Sequence, residues 1–120
     1  MEAKDNQLAR QFLESSRTRL LGVYLPRLRE CVAPLTTEQV WWRPNDASNS
    51  IGNLLLHLDG NVRQWLVASF NKDEDQRNRP AEFAAQSGLS AADLLARLGA
   101  TLDEAGKVLD RLTVEELLSL

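Results

Sequence analysis

Cysteine and histidine each occur once in the 120 residues, as Cys31 and His57. A lone cysteine rules out an internal disulfide and fits a reducing compartment. On an apolar helix face it is expected as a small core residue rather than a reactive thiol. One histidine and one cysteine cannot furnish a three-histidine metal centre or a Cys-x-x-Cys pair. A glycine-rich phosphate loop and a nucleophile elbow are also missing, and nothing singles out a serine for Ser/His/Asp chemistry. No apolar run approaches the roughly 20 residues of a membrane span. The opening stretch MEAKDNQLARQFLESS lacks an apolar segment and carries Glu2, Asp5 and Glu14. That excludes a secretory signal and disfavours an acid-poor transit peptide, so the expected location is cytoplasmic. A surplus of positive charge is lacking too: 14 Lys and Arg stand against 17 Asp and Glu, for a net charge of -3. With the basic residues scattered among acids, neither nucleic acid nor an anionic membrane is an expected partner.

What the chain does have is helical periodicity. With 43% hydrophobic and 26% charged residues it reads as a globular domain spanning 1–120, long enough to bury a core without disulfides or structural metal. No alternating run or Asn-Gly hairpin signal competes with the helical pattern, so the fold class is all-α. A first long helix is expected from about Asp5 to Val32, with Leu13, Leu20, Tyr24, Leu28 and Cys31 on its apolar face. Pro26 should kink it or split it in two. Thr36 and Gln39 have capping-box spacing and start a short turn that Pro44 stops. Asn49 or Ser50 caps a second long helix running to about Phe70. The segment NKDEDQRNRPAEF then reads as a solvated charged connection ending in a possible anchor, Phe83. Within it Arg77, Arg79 and Glu82 pair with one another or hold the loop, an anion site being the alternative. Ser90 and Asp93 cap a third helix whose Leu95, Leu98, Leu102, Ala105, Leu109 and Leu112 form a seam for antiparallel neighbours. Gly99 and Gly106 weaken that helix intrinsically but allow close approach. The architecture is a helix bundle.

Two stretches carry the same punctuation. LTTEQVWW (residues 35–42) and LTVEELLSL (residues 112–120) each follow a long helix with Leu-Thr-x-Glu and apolar residues. A loop and another long helix come after the first copy. A helix-pair repeat therefore predicts a fourth long helix beyond Leu120. Without one, three helices leave an apolar groove uncovered, a surface for dimerisation or aggregation.

On a wheel of about 100° per residue, Ile51, Leu55, Leu58, Val62, Trp65 and Leu66 make a broad apolar stripe. His57, Asn61 and Gln64 flank it, with Asn53 nearby, at the margin where a pocket inside a bundle is lined. Taken by spacing alone, His57 reads as a hydrogen-bonded residue at the edge of the core, with Asn61 and Gln64 as partners or solvated neighbours. Asp59 faces about 160° away on the same wheel and is a poor co-ligand; Asp103 or Glu104 could contribute, though no spacing argues for them. The three tryptophans are expected as core anchors, with Trp42 the one that could instead wall a pocket.

WWRPNDASNSIGNLLLHLDGNVRQW followed by RNRPAEF resembles the DinB-like superfamily of small bacterial helical proteins, over essentially the whole chain. The resemblance implies an up-and-down four-helix bundle, usually a homodimer, of which three long helices are present here. It implies a divalent metal, zinc or nickel, held by three histidines, and His57 matches the first. The other two, a pair on the fourth helix, have no counterpart in this sequence. Characterised members include metal-dependent thiol transferases and related isomerases, in which the ion activates a thiol or water toward a small-molecule substrate. The expectation is a domain related to metal-dependent transferases and hydrolases that is inactive as written. Its rivals are a non-enzymatic, stress-related interaction or dimerisation module in which His57 is structural, and a metal shared between His57 of two subunits.

Overall fold

The computed structural model describes residues 2–119, and the side chains of residues 6–119. Among these residues no strand occurs, and the chain forms three long helices and three short ones. We number them α1 (residues 2–32), α2 (Thr37–Trp41), α3 (residues 51–71), α4 (Arg79–Ala84), α5 (Ala91–Arg111) and α6 (Val114–Leu118).

Helix α1 passes through Pro26 without breaking. The backbone widens to π-type bonding over Thr18–Tyr24, and the N–H of Leu25 donates to the carbonyl of Leu20. Proline lacks an N–H and its ring crowds the carbonyl four residues back, so a wide turn just before it accommodates the ring. Helix α3 widens likewise over Arg63–Ala68, where Ser69 N–H donates to Gln64 O.

Capping boxes start α2, α3, α5 and α6. Thr36, Ser50, Ser90 and Thr113 each accept from the backbone N–H three residues on, and that residue's side chain reaches back. Each box satisfies two of the orphan donors at a helix start. The two Leu-Thr-x-Glu copies thus fold alike, each into a boxed helix of five residues; Leu120 lies outside the described residues. The connection after α3 is not wholly irregular: Asn78 caps α4, with Pro80 in its first turn.

Helix α5 is the centre of the bundle. Leu94, Leu98, Thr101, Ala105 and Val108 are buried along it, with Leu95, Leu102, Leu109 and Leu112 completing the expected seam. Both α1 and α3 pack on α5. At Gly106 a β-carbon would lie 2.6 Å from Leu21 Cδ1, so α1 and α5 pack closely there and a larger residue would require Leu21 to shift.

Between α1 and α3 the bundle stays open. An apolar groove runs there in two sections of about 350 and 420 Å³ that share Leu20 and Tyr24. Its walls include Leu28 of α1 and Leu58, Val62 and Leu66 of α3, over Leu98, Leu102 and Leu109 of α5. Both widened turns border it. Cys31 and two of the three tryptophans correct the sequence expectation: Cys31 is exposed, Trp42 and Trp65 are 66% and 62% exposed, and only Trp41 is core. Periodicity places a residue on a face but does not say whether another element covers that face. No described helix is long and apolar enough to cross a membrane.

Candidate functional site

The site is built at the start of α3. Asn53 is fully buried and makes every bond an amide offers. Its Oδ1 closes the cap by accepting from Ser50 N–H at 2.9 Å and Ser50 Oγ at 2.8 Å. Its Nδ2 donates to the carbonyls of Glu82 and Ala85 at 2.8 and 2.7 Å. Arg43 donates to the carbonyls of Phe83 and Ala85 at 3.2 and 2.7 Å, and Trp41 Nε1 to Leu89 O at 2.8 Å. Three side chains thereby bind the backbone of residues 82–89 to α3, to α2 and to Arg43 just after α2.

His57 lies one turn along α3, directly beneath this segment. Its ring stacks on Phe83, with centroids 5.2 Å apart and planes tilted by 35°, and the guanidinium of Arg79 stands 5.8 Å from the Phe83 ring centre. Nδ1 of His57 is 3.1 Å from Arg77 Nη2 and 3.7 Å from Glu82 Oε1. Arg77 grips Glu82 with both Nε and Nη2 at 3.1 Å, and donates from Nη1 to Gln64 Oε1 at 3.0 Å. Asp75 completes the network by accepting from Gln64 Nε2 and from Arg77 N–H, each at 2.9 Å.

The segment expected as a solvated charged connection is therefore partly internal. Arg77 and Glu82 pair with each other, as the sequence suggested, but they do so nearly buried. Desolvating two charges is tolerable here because the fork is bidentate and two further donors of Arg77 go to Gln64 Oε1 and His57 Nδ1. Gln64 belongs to the network through Arg77 rather than by touching His57, whereas Asn61 and Trp42 are exposed.

A second cluster occupies the far side of α3. Asp59 is buried, accepts from the Thr101 hydroxyl and pairs with Arg97 Nε at 3.1 Å. Arg63 donates to Thr101 Oγ1 at 2.8 Å and pairs with Glu104 at 3.0 Å. A polar cleft of about 690 Å³ lies between the clusters, walled by Asp59, Arg63, Gln64, Arg77, Glu82 and Arg97. Asp59 is thus committed to α5, and Glu104 to Arg63.

A catalytic divalent ion typically takes three protein ligands. Among the described residues no three His, Cys, Asp or Glu side chains come together to hold one. His57 supplies a single position, with no described residue hydrogen-bonded to its Nε2 and 29% of its side chain exposed. Glu82 is already taken by Arg77. The donor set present does not fit a complete centre.

The Asn53 anchor and the Arg77–Glu82–His57 contact were not foreseen. Ser50-x-x-Asn53 is itself a capping signature and could have pointed to the former. Nothing local announces the latter, which joins residues 20 and 25 positions apart.

A family model of the DinB superfamily matches residues 25–119. No curated protein and no solved structure matches the chain.

Proposed function

The chain belongs to the DinB superfamily, and we propose that it is a domain of the metal-dependent transferase and hydrolase type in which His57 is one metal ligand. Among the described residues no set of three ligands gathers around it, so on this reading the residues described do not by themselves make a working centre. The observation that carries this reading is the mounting of His57. Its Nδ1 is held by neighbouring groups while Nε2 is left without a partner among the described residues, on a helix bordering an open groove.

Metal analysis tests it. Zinc or nickel added to the purified chain should bind weakly, and His57→Ala should remove what binding there is. Stoichiometric metal that survives gel filtration and is unaffected by His57→Ala would refute the assignment.

A second reading is favoured by the groove: a helical module that pairs with a second copy through Leu20, Tyr24, Leu58 and Val62. Contiguous apolar surface of this kind marks an interaction site. Sedimentation at increasing concentration should then show a monomer–dimer equilibrium, and a monomer throughout would exclude this reading.

A further inference from the structure

The polar cleft of about 690 Å³ is a trough along α3, lined by that helix from Leu56 to Ala68, by Arg97 of α5 and by residues 73–78. Its volume is that of a small-molecule site. The charges on its walls do not cancel. Arg97, Arg77 and Arg63 are paired with Asp59, Glu82 and Glu104. Across from Arg97 the carboxylates of Asp73 and Glu74 have no partner among the described residues. Asp75 accepts only from neutral groups, the Gln64 amide and the Arg77 N–H. An anion alone would enter against this excess of like charge.

Arg97 is nevertheless prepared for a carboxylate. Its Nε is spent on Asp59, which is buried and also takes the Thr101 hydroxyl. Asp59 is thus a positioning residue. Nη1 and Nη2 remain without a described partner, the end-on fork that matches two carboxylate oxygens. At the other end of the trough, Asp73 N–H donates to Ala68 O, which sets the free acids about 13 Å farther along α3 than Asp59. A single amino acid, its two charges on one carbon, cannot reach both ends. An extended chain of three or four residues, at about 3.3–3.6 Å each, does. Between the ends, Gln76 and Nδ2 of Asn78 have no described partner and suit the peptide groups.

We propose that this cleft binds a short peptide, with its C-terminal carboxylate on the Arg97 fork and its N-terminal ammonium against Asp73 and Glu74. The inference does not depend on His57 being a metal ligand.

Tri-alanine is the probe, followed by calorimetry and by backbone amide shifts in NMR. It should bind with a Kd of about 1 mM and move the signals of residues 59–68 and 73–78, leaving those of the α1–α3 groove in place. C-terminal amidation and N-terminal acetylation should each weaken binding about tenfold, because each removes a charge-assisted contact. Arg97→Ala should weaken tri-alanine by a similar factor and make amidation inconsequential. Arg97→Lys, which keeps the charge and loses the fork, should not restore the affinity. Asp73→Asn with Glu74→Gln should do for acetylation what Arg97→Ala does for amidation. No binding at about ten times the expected Kd, or shifts in the groove instead, overturns the proposal. Sensitivity to only one of the two end modifications overturns it as well, since the cleft would then be a site for a simple anion or cation. The modified peptides need only the unaltered chain, so the outcome does not hang on the folding of any variant.

Discussion

The carboxylate of Glu82 rests against the backbone of Gly60, where a β-carbon would collide with Oε2. Gly60 stands three residues after His57 and so shares its side of α3. Glycine costs a helix interior about 1 kcal/mol relative to alanine, so Gly60→Ala would stabilise α3 if nothing lay above it. We expect the opposite: a loss of about 1–3 kcal/mol in urea unfolding, as forced insertion of a methyl group displaces Glu82 from Arg77. A stability equal to or above that of the unaltered chain would mean that Glu82 is free to move aside.

Asn53 supports both the start of α3 and the segment above it. Asn53→Ala removes a cap and leaves the Glu82 carbonyl without its donor in a buried setting. Lost caps cost about 0.5–2 kcal/mol and unsatisfied buried groups about 1–3, so a combined loss of about 2–4 kcal/mol is expected from denaturant unfolding. Asn53→Asp separates the two roles. It retains the capping oxygen but turns an acceptor toward the two carbonyls, and should be at least as damaging; full stability in Asn53→Asp would show that the carbonyl bonds contribute nothing.

The bundle and its helix starts were legible because their signals are local. Ser50, Ser90, Thr36 and Thr113 each announce a helix within four residues, and the leucines of α5 repeat at three and four. The status of Cys31, Trp42 and Trp65 was not legible, since an apolar residue is core only if something covers it. The uncovered groove was foreseen from the repeat of Leu-Thr-x-Glu rather than from any residue that lines it. The network on His57 was the least accessible part. Arg77 and Glu82 look like solvated surface in a run of charges, and only the fold of residues 78–85 onto Asn53 brings them inside.

Asp59 and Arg97 form an ion pair with unequal partners: the carboxylate is buried, while 58% of the arginine side chain is exposed. An exposed charge gains little from pairing, so Arg97→Ala should cost under about 1 kcal/mol. Asp59→Ala removes the acceptor of the fully buried Thr101 hydroxyl and should cost about 1–3 kcal/mol. The ratio of the two losses in thermal unfolding is the test. Comparable effects would mean that the pair with Arg97, and not the bond to Thr101, is what holds α3 to α5 here.

The open side of the bundle makes a separable prediction. Leu54 and Leu58 are 47% and 40% exposed on α3, and Trp65 continues their stripe two turns on, with no charged residue among them. Substitutions at such exposed positions usually change stability by no more than about 0.5 kcal/mol. Leu54→Lys with Leu58→Lys should therefore leave the unfolding midpoint nearly where it was. Leu58 lines the groove, so a charge there would be desolvated by anything that closes it, and the double variant should abolish concentration-dependent self-association in sedimentation and reduce binding of a hydrophobic dye. If the double variant still self-associates, the contact lies elsewhere on the surface. If it unfolds, the stripe is part of the core of the isolated chain, and the groove is closed in solution by a rearrangement of α1.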